Sequence, residues 1–207
     1  MTLSEQLWQA FTRATEAYHV ADSVDAPLQN PYPQGSLEAV LYEKNWIDAV
    51  QWHIEDIIRD PEIEPVKALA IKRRIDRLNQ QRTDMVERID DHFLALYNDV
   101  PKQPGATLNT ESVAWAIDRF SILKLKIYHM QEQVSRGDAD EAHLSRCKSK
   151  LAVLTEQHAD LGGAIDQLVD DIARGRKFVK VYRQMKMYND PALNPVLYAQ
   201  GKQLSTE

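Results

Sequence analysis

Residues 144–172 read LSRCKSKLAVLTEQHADLGGAIDQLVDDI and contain the most regular apolar pattern in the chain. Apolar residues, with one histidine among them, recur there in alternating steps of three and four: Leu144, Cys147, Leu151, Leu154, His158, Leu161, Ile165, Leu168 and Ile172. Such steps form a seven-residue repeat, which favours long helices that pack nearly parallel to their neighbours. The stretch therefore predicts a long helix in a helical bundle.

The rest of the chain also favours helices. Positions 36–60, 66–100 and 106–136 contain neither glycine nor proline, and Pro65 and Pro101 border the second stretch. Apolar residues recur in all three stretches at helical spacing. Ser36 is a plausible N-cap, and Pro65 suits a first helical turn. No stretch alternates convincingly as a strand. We predict an all-α bundle of about five long, mostly antiparallel helices.

The predicted organisation is a single helical domain over residues 1–207. An N-terminal helix occupies residues 1–20, and the Pro-rich connection APLQNPYPQG follows it at residues 26–35. The bundle core spans residues 36–172, and a basic segment spans residues 173–207. Each proline of the connection disfavours helix in the residue before it, so an extended path is expected there.

Composition excludes several classes of protein. Of 207 residues, 43% are hydrophobic and 27% charged, which is ordinary for a folded protein. The single Cys147 cannot form an internal disulfide. No apolar run reaches the ~18 residues of a membrane span, and no signal peptide is visible. We therefore expect a cytoplasmic location. Phosphate-binding glycine loops, dinucleotide fingerprints and Gly-x-Ser-x-Gly elbows are missing, and no cofactor is predicted.

Polar residues on otherwise apolar helix faces mark the candidate site. Arg82 falls within the apolar face of the third helix, beside Asn79. Asp118 lies on a second apolar face of the fourth helix and is the natural partner of Arg82, because an unpaired buried guanidinium is costly. The pair is either a structural ion pair or a site that orients a polar ligand.

The second helix carries Trp52 on a face of charged and polar residues that also holds Asn45, Asp48, Asp56 and Arg59, with His53 on one edge and Glu55 on the other. This face is either solvated or part of a functional groove. A large aromatic side chain among charges favours the groove.

No metal site is predicted from ligand spacing. His53, His92, His129 and His158 fall on four different predicted helices. Di-iron bundles need two Glu-x-x-His pairs, and this chain has one, Glu16 with His19. His129 is expected to make a local hydrogen bond.

The segment after Asp171 has no acidic residue before Asp190 and contains six cations, one of them Lys186. It either binds an anion or docks on the acidic remainder of the bundle, and the net charge of −6 argues against nucleic acid. The anion-binding candidates are Arg174, Arg176, Lys177, Lys180 and Arg183.

Four segments resemble an uncharacterised bacterial family, a domain of unknown function found mainly in Gram-negative genomes. They are NWIDAVQWHIEDIIRD (45–60), IDRLNQQRTDMVERID (75–90), IDRFSILKLKIYHM (117–130) and KVYRQMKMYNDPALNP (180–195). The resemblance spans about three quarters of the chain and leaves the first helix outside. It implies no reaction, but it suggests a link to cell-surface glycan metabolism, and it ranks anionic sugars and phosphosugars first among ligands.

Two functions are therefore expected. The first is a bundle that binds or acts on an anionic sugar or phosphosugar in a buried polar site. The second is a scaffold or accessory subunit that binds a protein partner, or a second copy of itself, through its helices and basic segment. The ligand-binding candidates are Asn45, Trp52, His53, Glu55, Asp56, Asn79, Arg82, Asp118, Lys126 and His129.

Overall fold

A computed structural model describes residues 1–183 and 192–193 of the chain. Its five helices are α1 (Leu3–Ala21), α2 (Leu37–Ile57), α3 (Pro65–Tyr97), α4 (Val113–Val134) and α5 (Glu141–Ala173). The predicted all-α bundle is confirmed. None of these helices combines the length with the apolar character that crossing a membrane requires.

The helix starts follow local capping chemistry. The hydroxyl of Ser36 accepts a hydrogen bond from the backbone N–H of Ala39, so the predicted N-cap of α2 is confirmed. Pro65 is the first residue of α3, and the Glu64 carboxylate caps that helix. At the N-terminus of α1, Thr2 and Glu5 form a capping box.

Two short strands were not predicted. Strands β1 (Thr107–Leu108) and β2 (Lys177–Phe178) pair in parallel, with Thr107 opposite Lys177. Two residues are too few to show an alternating pattern in the sequence. Gly175, just before β2, has φ +70°, and a Cβ there would lie 2.2 Å from the carbonyl oxygen of Pro101. Glycine is therefore required where the end of α5 meets the α3–α4 connection.

Helix α4 is central and packs against all four other helices. Its two apolar faces, as predicted, are both covered: Phe120 belongs to one core cluster with Phe11 and Ile89, whereas Leu125 belongs to a second with Tyr18 and Ile54. The seven-residue repeat of α5 packs onto the first cluster. Most of this face is thus used within the bundle, and a homodimer stays a prediction.

Candidate functional site

Four charged side chains from three helices meet in the interior, and we call them the ionic cluster: Lys44 and Asp48 of α2, Arg82 of α3 and Asp118 of α4. Arg82 Nε and Nη2 donate to Asp118 Oδ1 and Oδ2 at 2.9 and 2.6 Å. Lys44 Nζ lies 2.9 Å from Asp118 Oδ1 and also forms an ion pair with Asp48. The predicted partnership of Arg82 and Asp118 is present.

The charges of the ionic cluster balance one another. Burial opposes ionisation of Asp118, but the hydrogen bond from Arg82 and the charge of Lys44 outweigh it and lower the pKa of that carboxyl. Burial raises the pKa of Asp48, against the opposing effect of Lys44 and Arg82. Both side chains of the Lys44–Asp48 pair are fully buried, whereas that of Arg82 is 30% exposed. Arg82 is therefore the most exposed side chain of the cluster.

A chain of hydrogen bonds connects the ionic cluster to α1. The Thr15 hydroxyl donates to Asn45 Oδ1 at 2.7 Å, and Asn45 Nδ2 donates to Ser121 Oγ at 3.0 Å. Ser121 Oγ in turn donates to Asp48 Oδ2 at 2.6 Å. Asn45, a predicted ligand-binding residue, is fully buried in this chain and joins three helices.

Beside the ionic cluster lies a cavity of about 240 Å³, which we call the polar pocket. Asp48 Oδ1 and Gln51 Oε1 are buried, and neither receives a hydrogen bond within the described part of the chain, although Arg82 Nε lies 3.5 Å from Asp48 Oδ1 as an ion pair. Asn79 lies next to Gln51, whose Nε2 donates to it at 2.8 Å. The pocket is lined by Asp48, Gln51, Trp52, Glu55, Asp56, Arg59, Arg82 and Ile122.

Two larger clefts of about 740 and 610 Å³ adjoin the polar pocket, and we call them together the α4 groove. Lys126 lines both clefts. The first cleft shares Trp52 and Asp56 with the polar pocket, and the second cleft shares Arg82 with it. One face of α4 and one face of α5 supply most of the other lining residues. Predicted site residues from α2, α3 and α4 thus line adjoining cavities.

The acidic candidates of α2 lie at the edge of the polar pocket. Glu55 lies 3.6 Å from Arg59, and Asp56 accepts a hydrogen bond from Arg59 at 3.0 Å. Both acids are therefore partly compensated on their own helix, and Asp56 is exposed.

His53 and His129 do not belong to the polar pocket; they converge with His19, and we call the three the histidine cluster. One ring nitrogen from each residue lies within 4.8 Å of the other two. The ring centroids are 5.1–5.3 Å apart in all three pairs. Three helices, α1, α2 and α4, thus bring their imidazoles to one point.

Hydrogen bonds fix two of these rings. His19 Nδ1 donates to the backbone carbonyl of Thr15, and His129 Nδ1 donates to the Glu132 carboxylate, each at 2.7 Å. The bond to Glu132 is the local one that the sequence predicts for His129. Burial, followed by neighbouring histidines, lowers the pKa of His53; burial also lowers the pKa of His19, against the opposing hydrogen bond to Thr15. His19 and His53 are therefore neutral near pH 7.

The basic segment is largely engaged with acidic residues. Arg174 and Arg176 pair with Asp170, Arg176 and Lys177 pair with Asp171, and Lys180 is exposed. Arg183 pairs with Glu87 and Asp91 of α3. This arrangement favours docking on the bundle over anion binding. Lys186 and most of the fourth quoted segment lie outside the described residues.

Sequence reasoning missed Lys44 and Gln51, and it considered His19 only as the partner of Glu16 in a Glu-x-x-His pair. Lys44 and Asn45 continue the line of Leu41, Asp48 and Trp52 at helical spacing, which could have shown that this face is buried. No spacing signal marks the histidine cluster, because its members lie on different helices.

Comparisons with known proteins give one result. The model of the family described as "Protein of unknown function (DUF4254)" matches residues 38–181, which is well over half of the chain. No curated protein and no solved structure matches the chain. The matched span covers α2 to α5 and leaves α1 outside, as the four quoted segments predict. The chain therefore belongs to the DUF4254 family of proteins of unknown function.

Proposed function

We propose that the protein binds a small molecule with hydroxyl groups and an anionic group, of the phosphosugar class, in the polar pocket and the adjoining α4 groove. The observation that carries this proposal is the pair of buried acceptors, Asp48 Oδ1 and Gln51 Oε1, on side chains that line a cavity beside Trp52 and Arg82. A buried acceptor without a donor costs about 1–3 kcal/mol. A ligand hydroxyl is a donor of the required kind.

The neighbouring side chains favour a sugar. Trp52 lies in the wall of both the polar pocket and the first cleft, and an indole face packs well against the apolar face of a sugar ring. Binding pockets usually fix the orientation of a ligand with a few polar groups beside aromatic side chains, and these polar groups also provide specificity.

An anionic group is favoured by the cations around the groove. Arg82, Arg119, Lys126 and Lys150 line the two clefts, against the acids Asp56 and Asp160; of these cations, Arg119 also pairs with Glu111 at 2.7 Å. Arg82 is already held by Asp118, so its guanidinium is preorganised for a phosphate oxygen. A cytoplasmic location, where phosphorylated sugars are made, would suit this ligand class.

The test is native mass spectrometry and calorimetric titration of the full chain with inorganic phosphate, hexose phosphates and nucleoside-diphosphate sugars. Gln51→Ala and Lys126→Ala are each expected to weaken binding by about tenfold, equivalent to about 1.4 kcal/mol. Lys67→Ala is the matched control, because Lys67 is exposed on α3 and lines neither the polar pocket nor the α4 groove. Binding by none of these compounds, or equal binding by all three variants, would refute the proposal.

The alternative, an accessory subunit with a protein partner, has less support. The cations that the sequence offers for partner contacts are mostly paired with acids of the same chain. A purified chain that carries no small molecule and associates with a second protein through the α4 groove would favour this alternative.

A further inference from the structure

The histidine cluster has the spacing of a metal site. The Nε2 atoms of His19 and His53 are 3.2 Å apart, and a ring nitrogen of His129 lies within 4.8 Å of the corresponding atoms of the other two. A tetrahedral zinc ion with Zn–N bonds of about 2.0–2.1 Å places its nitrogen ligands roughly 3.3 Å apart. One pair already has this separation, and the third ring nitrogen lies within 4.8 Å of both.

The outer hydrogen bonds direct the correct nitrogens inward. A carbonyl oxygen only accepts, so His19 Nδ1 carries the proton and its Nε2 has the lone pair. The Glu132 carboxylate fixes His129 in the same tautomer. Metal-ligating histidines almost always make such a bond with their second nitrogen.

The Nε2 atom of His129 is buried and has no hydrogen-bond partner within the described residues. In the neutral ring this atom is an acceptor, and the facing nitrogens of His19 and His53 are also ring nitrogens rather than carboxylates or hydroxyls. Because His19 Nε2 has the lone pair, His53 Nε2 carries a proton and donates to it at 3.2 Å, which leaves His129 Nε2 as the one acceptor of the three without a donor. A cation at their centre would bind all three nitrogens once the His53 proton moves to Nδ1.

Each imidazole is also held by an aromatic ring. His19 stacks on Tyr128 at 4.1 Å between centroids, His53 on Tyr18 at 5.2 Å, and His129 on Trp52 at 5.0 Å. The planes of the three rings are therefore set by packing. Such preorganisation lowers the entropic cost of binding an ion.

From this geometry we propose that His19, His53 and His129 bind one divalent transition-metal ion, with Zn²⁺ as the ion that three imidazoles suit best. Imidazole nitrogen suits zinc, copper, iron and nickel, and Mg²⁺ and Ca²⁺ prefer oxygen ligands. Three protein ligands leave the fourth position of a tetrahedral ion for a water molecule or another oxygen ligand. His129 and Trp52 also line the α4 groove, so the site borders the cavity in which we place the small molecule.

The experiment uses the untagged full chain, freed of metal with a chelator and then desalted. Titration with Zn²⁺ is expected to give one bound ion per chain and a rise in the melting temperature. Titration with Co²⁺ is expected to give the visible absorption of a tetrahedral ion. Neither measurement depends on the phosphosugar, so the two proposals fail or succeed separately.

The decisive variant is His53→Phe, which keeps a ring against Tyr18 but removes the ligand atom. Zinc affinity is expected to fall by more than 100-fold. Glu132→Gln leaves all three ligands in place and is expected to weaken binding by about 10–100-fold, the usual effect of losing an outer hydrogen-bond partner. If circular dichroism shows that His53→Phe does not fold, His129→Gln replaces it, since the His129 side chain is 19% exposed.

Two controls exclude binding elsewhere. His158 is also half-buried and stacks on Phe120, but it lies outside the cluster, so His158→Phe should bind zinc like the wild type. Cys147→Ser tests the contact of Cys147 with His143 on α5 and should also leave the affinity unchanged. The proposal is overturned if the wild type binds no stoichiometric Zn²⁺, or if a control variant loses the ion while His53→Phe and His129→Gln retain it.

Discussion

The ionic cluster and the histidine cluster share the helices α2 and α4, but their buried polar groups are satisfied to different degrees. In the ionic cluster, two cations face two carboxylates, and Arg82 makes a bidentate contact with Asp118. In the histidine cluster, three groups of one kind face one another; His53 and His19 share a hydrogen bond between their Nε2 atoms, and the Nε2 atom of His129 has no partner among the described residues. Groups that complete each other stabilise a fold, whereas a buried acceptor that its neighbours do not satisfy marks a place for a ligand.

The largest effect is expected from breaking the ionic cluster. Asp118→Ala leaves Lys44 and Arg82 with one carboxylate between them, and an uncompensated buried charge typically costs about 3–5 kcal/mol. Urea denaturation should show this loss in the free energy of unfolding. Asp138→Ala is the control, because this aspartate is exposed and its partner Arg136 is also on the surface; it should leave the unfolding midpoint almost unchanged. A small effect of Asp118→Ala would mean that the cluster is not structural.

A smaller effect is expected from the neighbouring chain of neutral hydrogen bonds. Asn45→Ala removes the partner of both Thr15 and Ser121, and buried groups that lose their partner cost about 1–3 kcal/mol. Asn98→Ala removes an exposed amide at the end of α3 and should change stability little. Equal unfolding midpoints for the two variants would contradict the structural role of Asn45.

The histidine cluster should make stability depend on pH in the absence of metal. The pKa values of His19 and His53 are lowered in the folded protein, chiefly by burial and by the nearby His129, although Asp22 and Glu132 oppose the shift for His19. Below about pH 6.5 the unfolded chain therefore binds more protons than the folded one. The free energy of unfolding should therefore be greatest above this pH and should fall as the pH drops below it.

His53→Phe should make this pH dependence clearly weaker, whereas His92→Ala, at an exposed position, should leave it unchanged. Denaturation between pH 5.5 and 7.5, with a chelator present, measures the slope. An unaltered slope in His53→Phe would show that the cluster does not titrate as its burial requires.

The smallest effect is expected from the basic segment. Arg183 bridges Glu87 and Asp91 at the surface, where ion pairs are screened by solvent and salt. Arg183→Ala should leave the unfolding midpoint unchanged at physiological salt. A marked loss would mean that this contact anchors the segment more firmly than a surface ion pair can.

The fold could be predicted because its signals are local. Spacing of apolar residues along single helices, the Ser36 cap and Pro65 were enough for all five helices. The partnership of Arg82 and Asp118 was also within reach, because each side chain is an exception on an apolar face and their charges are opposite. The short parallel strands were not, because a two-residue pairing depends on tertiary contacts alone.

The histidine cluster could not be predicted for a different reason. Residues 19, 53 and 129 meet only because α1, α2 and α4 pack at particular rotations, and periodicity fixes which face is buried but not which neighbour it meets. Asn45 shows the same limit, because the sequence does not reveal which neighbours a buried polar residue meets. It was chosen as a candidate for ligand binding because it is polar, but the partners Thr15 and Ser121 give it a structural role.

The N-terminus of α1 is held by Asp166, which accepts hydrogen bonds from the backbone and the hydroxyl of Ser4 across 162 residues of sequence. During synthesis at about 5–20 residues per second, α1 emerges roughly 8–32 s before that part of α5 exists. Over this interval Leu7 and Phe11, which are fully buried in the finished bundle, have no completed core to enter. Of the five described helices, α1 is thus made first, yet it cannot complete its packing until α5 exists.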